Sequence, residues 1–314
     1  ARRRAESIAA ARRGDDAARA PLLAFAVDQS GGAFWQASAV RLLDRWIDEP
    51  RVQAALLGQT LNASPLVRAT AVRMLEPAFE QNTGLRSTVE RLLDDPDRSV
   101  RTSAAWGLRA TLREDGRAGA ELQHMMSLNS DQPTGQMQLG AWRLARGEAT
   151  AAVHHFQKAV AWDPNSPPFH HELAVALSMS GRNDEALAQL QEAVRLDPRN
   201  AEYHYKLALA WNETKRLDQT VAELQRAVSL DAHHGRAWYN LGLAQHGLGQ
   251  SEAALISLKR GEVVAATDPR LPYARATILA QLGRADEARV AARQALSIQP
   301  GYPEAEQLLQ TLGR

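Results

Sequence analysis

The sequence predicts an all-α protein, an α-solenoid of stacked helix–turn–helix repeats. Three observations support this fold class. The pattern of the segment 181–200 returns 34 residues later as 215–234. Small and apolar residues recur in each copy with a four-then-three spacing, which places them on one face of a helix. Several copies end at a proline. A period of about 34 residues indicates a repeat array.

The repeats follow one another without insertion or deletion in the C-terminal part of the chain. The second helix of a unit has one apolar stripe, as in Ala186, Leu190 and Ala193. Pro198 ends that helix, because proline lacks an N–H donor and disfavours the α conformation in the preceding residue. The fourth unit keeps the register, but we expect its second helix to run further. The five units are 133–166, 167–200, 201–234, 235–268 and 269–302.

This pattern resembles the tetratricopeptide repeat (TPR) family. The first helix has a leucine followed by a small residue, as in Leu173-Ala174. We assign residues 116–314 to this array, with a half repeat at 116–132 and a cap helix at 303–314, since such arrays need a solvating end. The departures from the family's pattern are Arg143 for an aromatic residue, Arg275 for leucine, Pro272 inside a first helix and Ala266 for the terminal proline.

Residues 1–115 show a different and slightly shorter period. Three segments align with one another, and each follows an apolar helical run: "WQASAVRLLDRW" (35–46), "VRATAVRMLEPA" (67–78) and "VRTSAAWGLRAT" (100–111). The turns before the last two segments contain Ser-Pro or Asp-Pro and lead into a Val-Arg helix with small residues. This arrangement resembles HEAT repeats. We therefore predict a HEAT-like N-terminal domain before the TPR array.

Composition and charge favour neither a nucleic-acid nor a membrane role. The net charge is +1, so no overall field attracts nucleic acid. No apolar run is long enough to predict a membrane span. There is no cysteine, which excludes disulfides, thiolate chemistry and C-x-x-C-H haem attachment within these residues. The chain begins at Ala1 with no visible signal peptide, so we expect a processed chain or part of a longer one.

The sequence also shows no catalytic motif. It has no glycine-rich phosphate loop, no H-E-x-x-H and no serine–histidine–aspartate set in a recognisable context. Adjacent histidines such as His154 and His155 point about 100° apart on a helix and rarely chelate one ion. His170 and His204 occupy the position of Trp238, so we expect them to pack. We predict a chain that is not an enzyme and has neither metal nor cofactor of its own.

The candidate binding site is a row of aromatic residues. Tyr205, Tyr239 and Tyr273 occupy equivalent positions in successive units, and Met137 and His171 continue the row. The TPR resemblance implies that this position lines the concave groove. Rings, amides and cations of this kind suit an extended peptide, but the tyrosines could instead pack on the adjacent helix. The other groove positions implied by the family are Lys206, Asn240, Asn212, Arg236, Arg270 and His246.

Two functions follow from these resemblances. The first is a repeat scaffold for a protein or peptide partner, or for head-to-tail self-assembly, since open solenoids end in unfilled faces. The alternative comes from the module order, HEAT-like then TPR. This order of modules resembles the C-terminal part of exported bacterial multihaem c-type cytochromes. That resemblance implies a redox scaffold with haem only on a longer chain, and a periplasmic or extracellular location. A cytoplasmic location stays open.

Overall fold

A computed structural model describes residues 2–79 and 82–313, and within these ranges the protein is all α. Nineteen α-helices and five short 3₁₀ helices are present there, with no β-strand. The predicted all-α solenoid class is confirmed. None of the described helices has the length and apolar content needed to cross a membrane.

The chain divides into two compact units, 1–148 and 149–314. The boundary predicted from repeat type lies at 115/116. It separates kinds of repeat rather than compact units, and it stays a prediction.

The helices of the first unit are α1 (Arg2–Arg12), α2 (Arg19–Val27), α3 (Ala33–Leu42), α4 (Pro50–Gln59), α5 (Pro65–Leu75), α6 (Thr83–Arg91), α7 (Arg98–Gly107), α8 (Arg117–Leu128) and α9 (Pro133–Ala145). The 3₁₀ helices are Asp16–Ala18, Gln29–Gly31, Asp44–Trp46, Glu76–Ala78 and Leu92–Asp94.

In the first unit the helices occur in pairs where the sequence predicts them. The pairs α2/α3, α4/α5 and α6/α7 contain the three aligned segments. Leu22, Val40, Leu56 and Leu75 are fully buried in one continuous core. The helix pairs are present as expected, while their assignment as HEAT repeats stays a prediction.

Two arginines explain the Val-Arg pattern of this unit, and of these Arg101 is buried and Arg68 is mostly buried. Arg68 donates from Nε and Nη2 to the two carboxylate oxygens of Asp95, both at 2.9 Å. Arg101, one period later, donates to Glu121 at 2.8 and 2.6 Å. Each arginine also donates to main-chain carbonyls of the turn before its own helix, as Arg101 does to Asp95 at 2.6 Å. The side chains thereby fix each turn against the next repeat.

The second unit has ten helices in strict register. Three of its first helices start at equivalent positions of the repeat, at Pro167, Ala201 and Gly235, and the fourth starts one residue later, at Arg270. The second helices all have 14 residues. The helices are α10 (Ala149–Trp162), α11 (Pro167–Met179), α12 (Asn183–Leu196), α13 (Ala201–Glu213), α14 (Leu217–Leu230), α15 (Gly235–Gly247), α16 (Ser251–Val264), α17 (Arg270–Gln281), α18 (Ala285–Ile298) and α19 (Pro303–Leu312).

The prediction that the second helix of the fourth unit runs further than its neighbours is wrong. Helix α16 ends at Val264, the position equivalent to the ends of its neighbours. Ala265 leaves the α conformation at φ −126° and ψ 59°, and its N–H still donates to Gly261. The same capping bond ends α14 at Asp231, which no proline follows. These two helices therefore end at the same position of the repeat as their neighbours, even though no proline follows them.

In units two to four of the array, a side chain on the first helix closes the turn before it. The ring Nε2 of His170 lies 3.0 Å from the carbonyl oxygen of Pro164, and Nε2 of His204 lies 3.1 Å from that of Pro198. Trp238 makes the equivalent bond from Nε1 to the Ala232 carbonyl at 2.9 Å. Both histidines are buried. They pack, as the sequence predicts.

In the second unit, the turn inside each helix pair has one residue with a left-handed backbone. Gly181, Gly249 and Gly283 have φ between 75° and 77°, whereas the third unit has Lys215 at φ 59°. A side chain at such a φ crowds the following carbonyl, which glycine avoids.

We expect Lys215→Gly to raise the free energy of unfolding by about 1 kcal/mol, because it relieves this crowding. Urea denaturation of the full chain measures the change. Lys215→Ala is the control, since it removes the lysine side chain but keeps Cβ. An equal gain from both substitutions would mean that the long side chain, and not the backbone, is the source of the effect.

Candidate functional site

The three tyrosines lie in the first two turns of α13, α15 and α17, at equivalent positions. We call Tyr205, Tyr239 and Tyr273 the tyrosine row. All three belong to the second compact unit, whereas Met137 lies in the first. The structure thus places the tyrosines on successive first helices, as the repeat predicts.

Tyr205 is the most enclosed member. Its side chain is 5% exposed and belongs to a core with Ala237 and Trp238. Its ring centroid lies 4.6 Å from that of His234. Asn240 donates from Nδ2 to the hydroxyl oxygen at 3.2 Å. For this residue the structure favours packing, and only its hydroxyl edge is suited to a ligand.

An arginine from the following repeat covers each of the first two rings. The guanidinium of Arg236 lies 5.5 Å from the centroid of Tyr205, and that of Arg270 lies 5.3 Å from the centroid of Tyr239. The two arginines occupy equivalent positions, so the contact repeats with the array. Such cation–π contacts hold the guanidinium over the ring. Both arginine side chains remain more than half exposed.

The last tyrosine has a different neighbour. Tyr273 and Tyr302 make an edge-to-face contact with centroids 5.3 Å apart. Glu304 stands where the repeat would place a third arginine. The row therefore ends in an aromatic pair, and both rings are only partly buried.

Carboxylates that were not predicted from the sequence balance part of the positive charge. Glu202 lies 3.1 Å from Nε2 of His234 and 3.5 Å from Nζ of Lys206, with Arg236 at 4.0 Å. Burial opposes ionisation of Glu202, but the hydrogen bond from His234 and the two cations outweigh it and lower its pKa. The i,i+4 spacing to Lys206 was the available signal.

Arg270 has a similar partner. It donates to Asp268 from Nη2 at 2.7 Å. Burial would raise the pKa of Asp268, but the side-chain and main-chain hydrogen bonds of Arg270 lower it. The site is therefore a line of paired charges with exposed guanidinium edges, rather than a uniformly cationic groove.

The hydroxyls of Tyr205, Tyr239 and Tyr302 stay protonated at neutral pH. Burial raises the pKa of Tyr205, Tyr239 and Tyr302 above the ordinary value. A neutral hydroxyl can donate to a carbonyl and accept from an amide. The row offers both functions to a ligand.

The remaining predicted site residues do not gather at the row. Asn212 and His246 occupy equivalent positions about two turns further along their helices, about 10 Å along the axis. Asn212 is exposed, whereas Nε2 of His246 lies 2.7 Å from Gln281. His171 contacts the ring of Tyr203 at 5.4 Å and Glu172 at 3.3 Å. Asn212 and His246 therefore lie on the same helices as Tyr205 and Tyr239, but about two turns away from their rings.

No metal site emerges from the part of the chain that the structure describes. Within it, no three histidine, aspartate or glutamate side chains are grouped closely enough to hold an ion. The row presents hydroxyls, guanidinium groups, one amide and partly exposed rings, which are groups able to hydrogen-bond or pack against a ligand.

The helical repeats can now be assigned by comparison. Protein-family models of the tetratricopeptide repeat match residues 143–210, 219–269 and 271–302. Tetratricopeptide repeats are therefore confirmed in these segments. The match to residues 271–302 lies in the fifth unit, which departs from the family's pattern at Pro272 and Arg275.

Solved structures show the same fold. A crystal structure of the protein MamA shares 23% sequence identity and gives a TM-score of 0.51, over 55% of this chain and 92% of that chain. YrrB, a TPR protein with an unusual peptide-binding site, shares 17% identity with a TM-score of 0.52, over 60% of this chain and 97% of that chain. Among curated proteins no relative matches the chain.

Proposed function

We propose that the chain is a non-enzymatic repeat scaffold that binds an extended peptide from a partner protein along the tyrosine row. TPR repeats suit protein–protein interaction, and YrrB, of the same fold, is described as having a peptide-binding site. The observation that supports the row most directly is its repetition. Arg236 and Arg270 cover equivalent rings in successive units.

An extended peptide matches this arrangement because both are periodic. A peptide crossing the first helices of units three to five meets a tyrosine hydroxyl in each unit and a guanidinium in units four and five. Peptide carbonyls or carboxylates would accept from the arginines and tyrosine hydroxyls. Asn240 could bond the peptide main chain once its bond to Tyr205 is exchanged. The exposed edges of Tyr239 and Tyr273 would cover peptide side chains at low entropic cost.

We expect the double substitution Arg236→Ala and Arg270→Ala to weaken peptide binding at least tenfold. Each hydrogen bond from a guanidinium to a peptide carboxylate or carbonyl contributes about 1.5–3 kcal/mol, and about 1.4 kcal/mol corresponds to a factor of ten. A library of random short peptides is selected against the full chain. The enriched peptide is then labelled and its affinity measured by fluorescence anisotropy.

Arg195→Ala is the matched control. This arginine is also exposed and paired to a carboxylate, Glu192, but it lies on a second helix. The proposal fails if no peptide is enriched, or if the double variant binds the enriched peptide as tightly as the Arg195→Ala control.

The other expectations stay predictions. The HEAT-like class, head-to-tail association, the cytochrome alternative and an extracytoplasmic location rest on the sequence patterns described above. No contact in the described residues favours the cytochrome alternative over the peptide scaffold.

A further inference from the structure

A second groove lies in the other compact unit, between helices α3 and α5. It encloses about 440 Å³, within the range of ligand sites. It is far from the tyrosine row in sequence and does not depend on the function proposed for it. Its lining includes Phe34, Arg41, Leu66, Thr70 and Arg73.

Apolar side chains are exposed at one end of this groove. Phe34 is 66% exposed, and Leu66, the equivalent residue one repeat later, is about half exposed. Trp35 is also exposed and meets Phe34 edge to face at 5.5 Å. The opposite faces of the same helices bury Val40 and Val72 completely. The two helices therefore already have a core, and the exposed apolar end is available to a partner.

Two cations stand at the other end. Arg41 and Arg73 are equivalent residues of successive repeats, and both are exposed. The groove lining contains no acidic residue. Among the described residues neither arginine pairs with a carboxylate; Arg73 makes only a 3.4 Å contact with the Thr70 hydroxyl. This differs from the tyrosine row, where Arg270 is paired with Asp268.

We propose that this groove binds an acidic, amphipathic segment of a partner protein. Apolar side chains of the segment lie against Phe34 and Leu66, and its carboxylates pair with Arg41 and Arg73. The charge of the groove selects an acidic partner, because within the described residues both guanidinium groups lack a carboxylate. The apolar end favours a protein over nucleic acid, whose binding depends mainly on phosphate contacts.

The test uses a fluorescein-labelled peptide about four helical turns long, with leucine and phenylalanine at helical spacing and glutamate or aspartate elsewhere. Anisotropy is measured with the full chain. We expect saturable binding that weakens with added salt. We also expect at least tenfold weaker binding by Arg41→Glu/Arg73→Glu and by Phe34→Ser/Leu66→Ser. All four side chains are exposed, so the variants should fold, which circular dichroism checks.

Matched controls lie in the same unit outside the groove. Arg51→Glu reverses one exposed charge, and Leu61→Ser removes one exposed apolar side chain. Both should bind like the wild type. The proposal is overturned if the wild type does not bind the peptide, or if a peptide with glutamine at every acidic position binds equally well. It is also overturned if oligothymidylate at equal concentration displaces the peptide. A further contrary result is self-association that Phe34→Ser abolishes, without any peptide binding.

Discussion

Arg275→Leu is expected to lower the free energy of unfolding by about 3–5 kcal/mol, although leucine is the residue that the repeat pattern favours there. Arg275 donates from Nε to Glu262 at 2.6 Å and from Nη2 to Gln294 at 2.9 Å. The Glu262 side chain is only 8% exposed. Removing the arginine leaves this carboxylate buried without its cation.

The double variant Glu262→Leu/Arg275→Leu tests this explanation. With both charges replaced by apolar groups, we expect stability equal to or above that of the wild type. Urea denaturation of the full chain, followed by circular dichroism, gives all the free energies. If Arg275→Leu is neutral, or the double variant is as unstable as the single one, the ion pair does not account for the departure from the pattern.

The second large effect is expected in the N-terminal unit. Arg101→Leu should lower the free energy of unfolding by about 3–5 kcal/mol. The arginine side chain is 3% exposed. Its loss removes two bonds to Glu121 and the bonds to the carbonyls of Asp95 and Pro96. Urea denaturation again measures the change.

The pH dependence should differ between this variant and the wild type. Hydrogen bonds from Arg101 lower the pKa of Glu121 in the folded protein. The unfolded chain therefore binds the proton first as the pH falls. The stability due to this pair is fully present above the unfolded pKa and is lost as the pH falls through the folded one. Arg101→Leu should show less of this acid loss.

Arg113→Leu is the control for the second prediction. Arg113 is paired with Asp115 at 2.9 Å, but both side chains are mostly exposed, and such pairs contribute about 0–1 kcal/mol. If Arg113→Leu costs as much as Arg101→Leu, the burial of the pair is not what makes it stabilising.

The features that depend on local residue spacing, namely the helix pairs and their buried stripes, were predicted from the sequence. The stripe of Ala186, Leu190 and Ala193 is fully or nearly fully buried, and the helix pairs follow the register of the repeat. Histidine packing at 170 and 204 followed from their equivalence to Trp238. Local signals were sufficient here because each repeat contacts only its neighbours.

The electrostatic partners could not be predicted in the same way. Glu262 and Arg275 lie on different helices, and the sequence suggested only that Arg275 was irregular. Burial of Tyr205 depends on Trp238 of the next repeat, so periodicity alone could not separate packing from ligand binding. Which residue of the next repeat a side chain pairs with depends on the directions of the two side chains. The spacing of residues in the sequence does not give those directions.

Hydroxyl-radical footprinting with the selected peptide tests the central claim most directly. It reports the solvent access of individual aromatic side chains in the full chain. Tyr239 and Tyr273 are partly exposed, whereas Trp162 is an exposed aromatic side chain outside the row. We predict that bound peptide lowers the oxidation of Tyr239 and Tyr273 and leaves Trp162 unchanged. Unchanged oxidation of both tyrosines with peptide bound would contradict the account and place the binding site elsewhere.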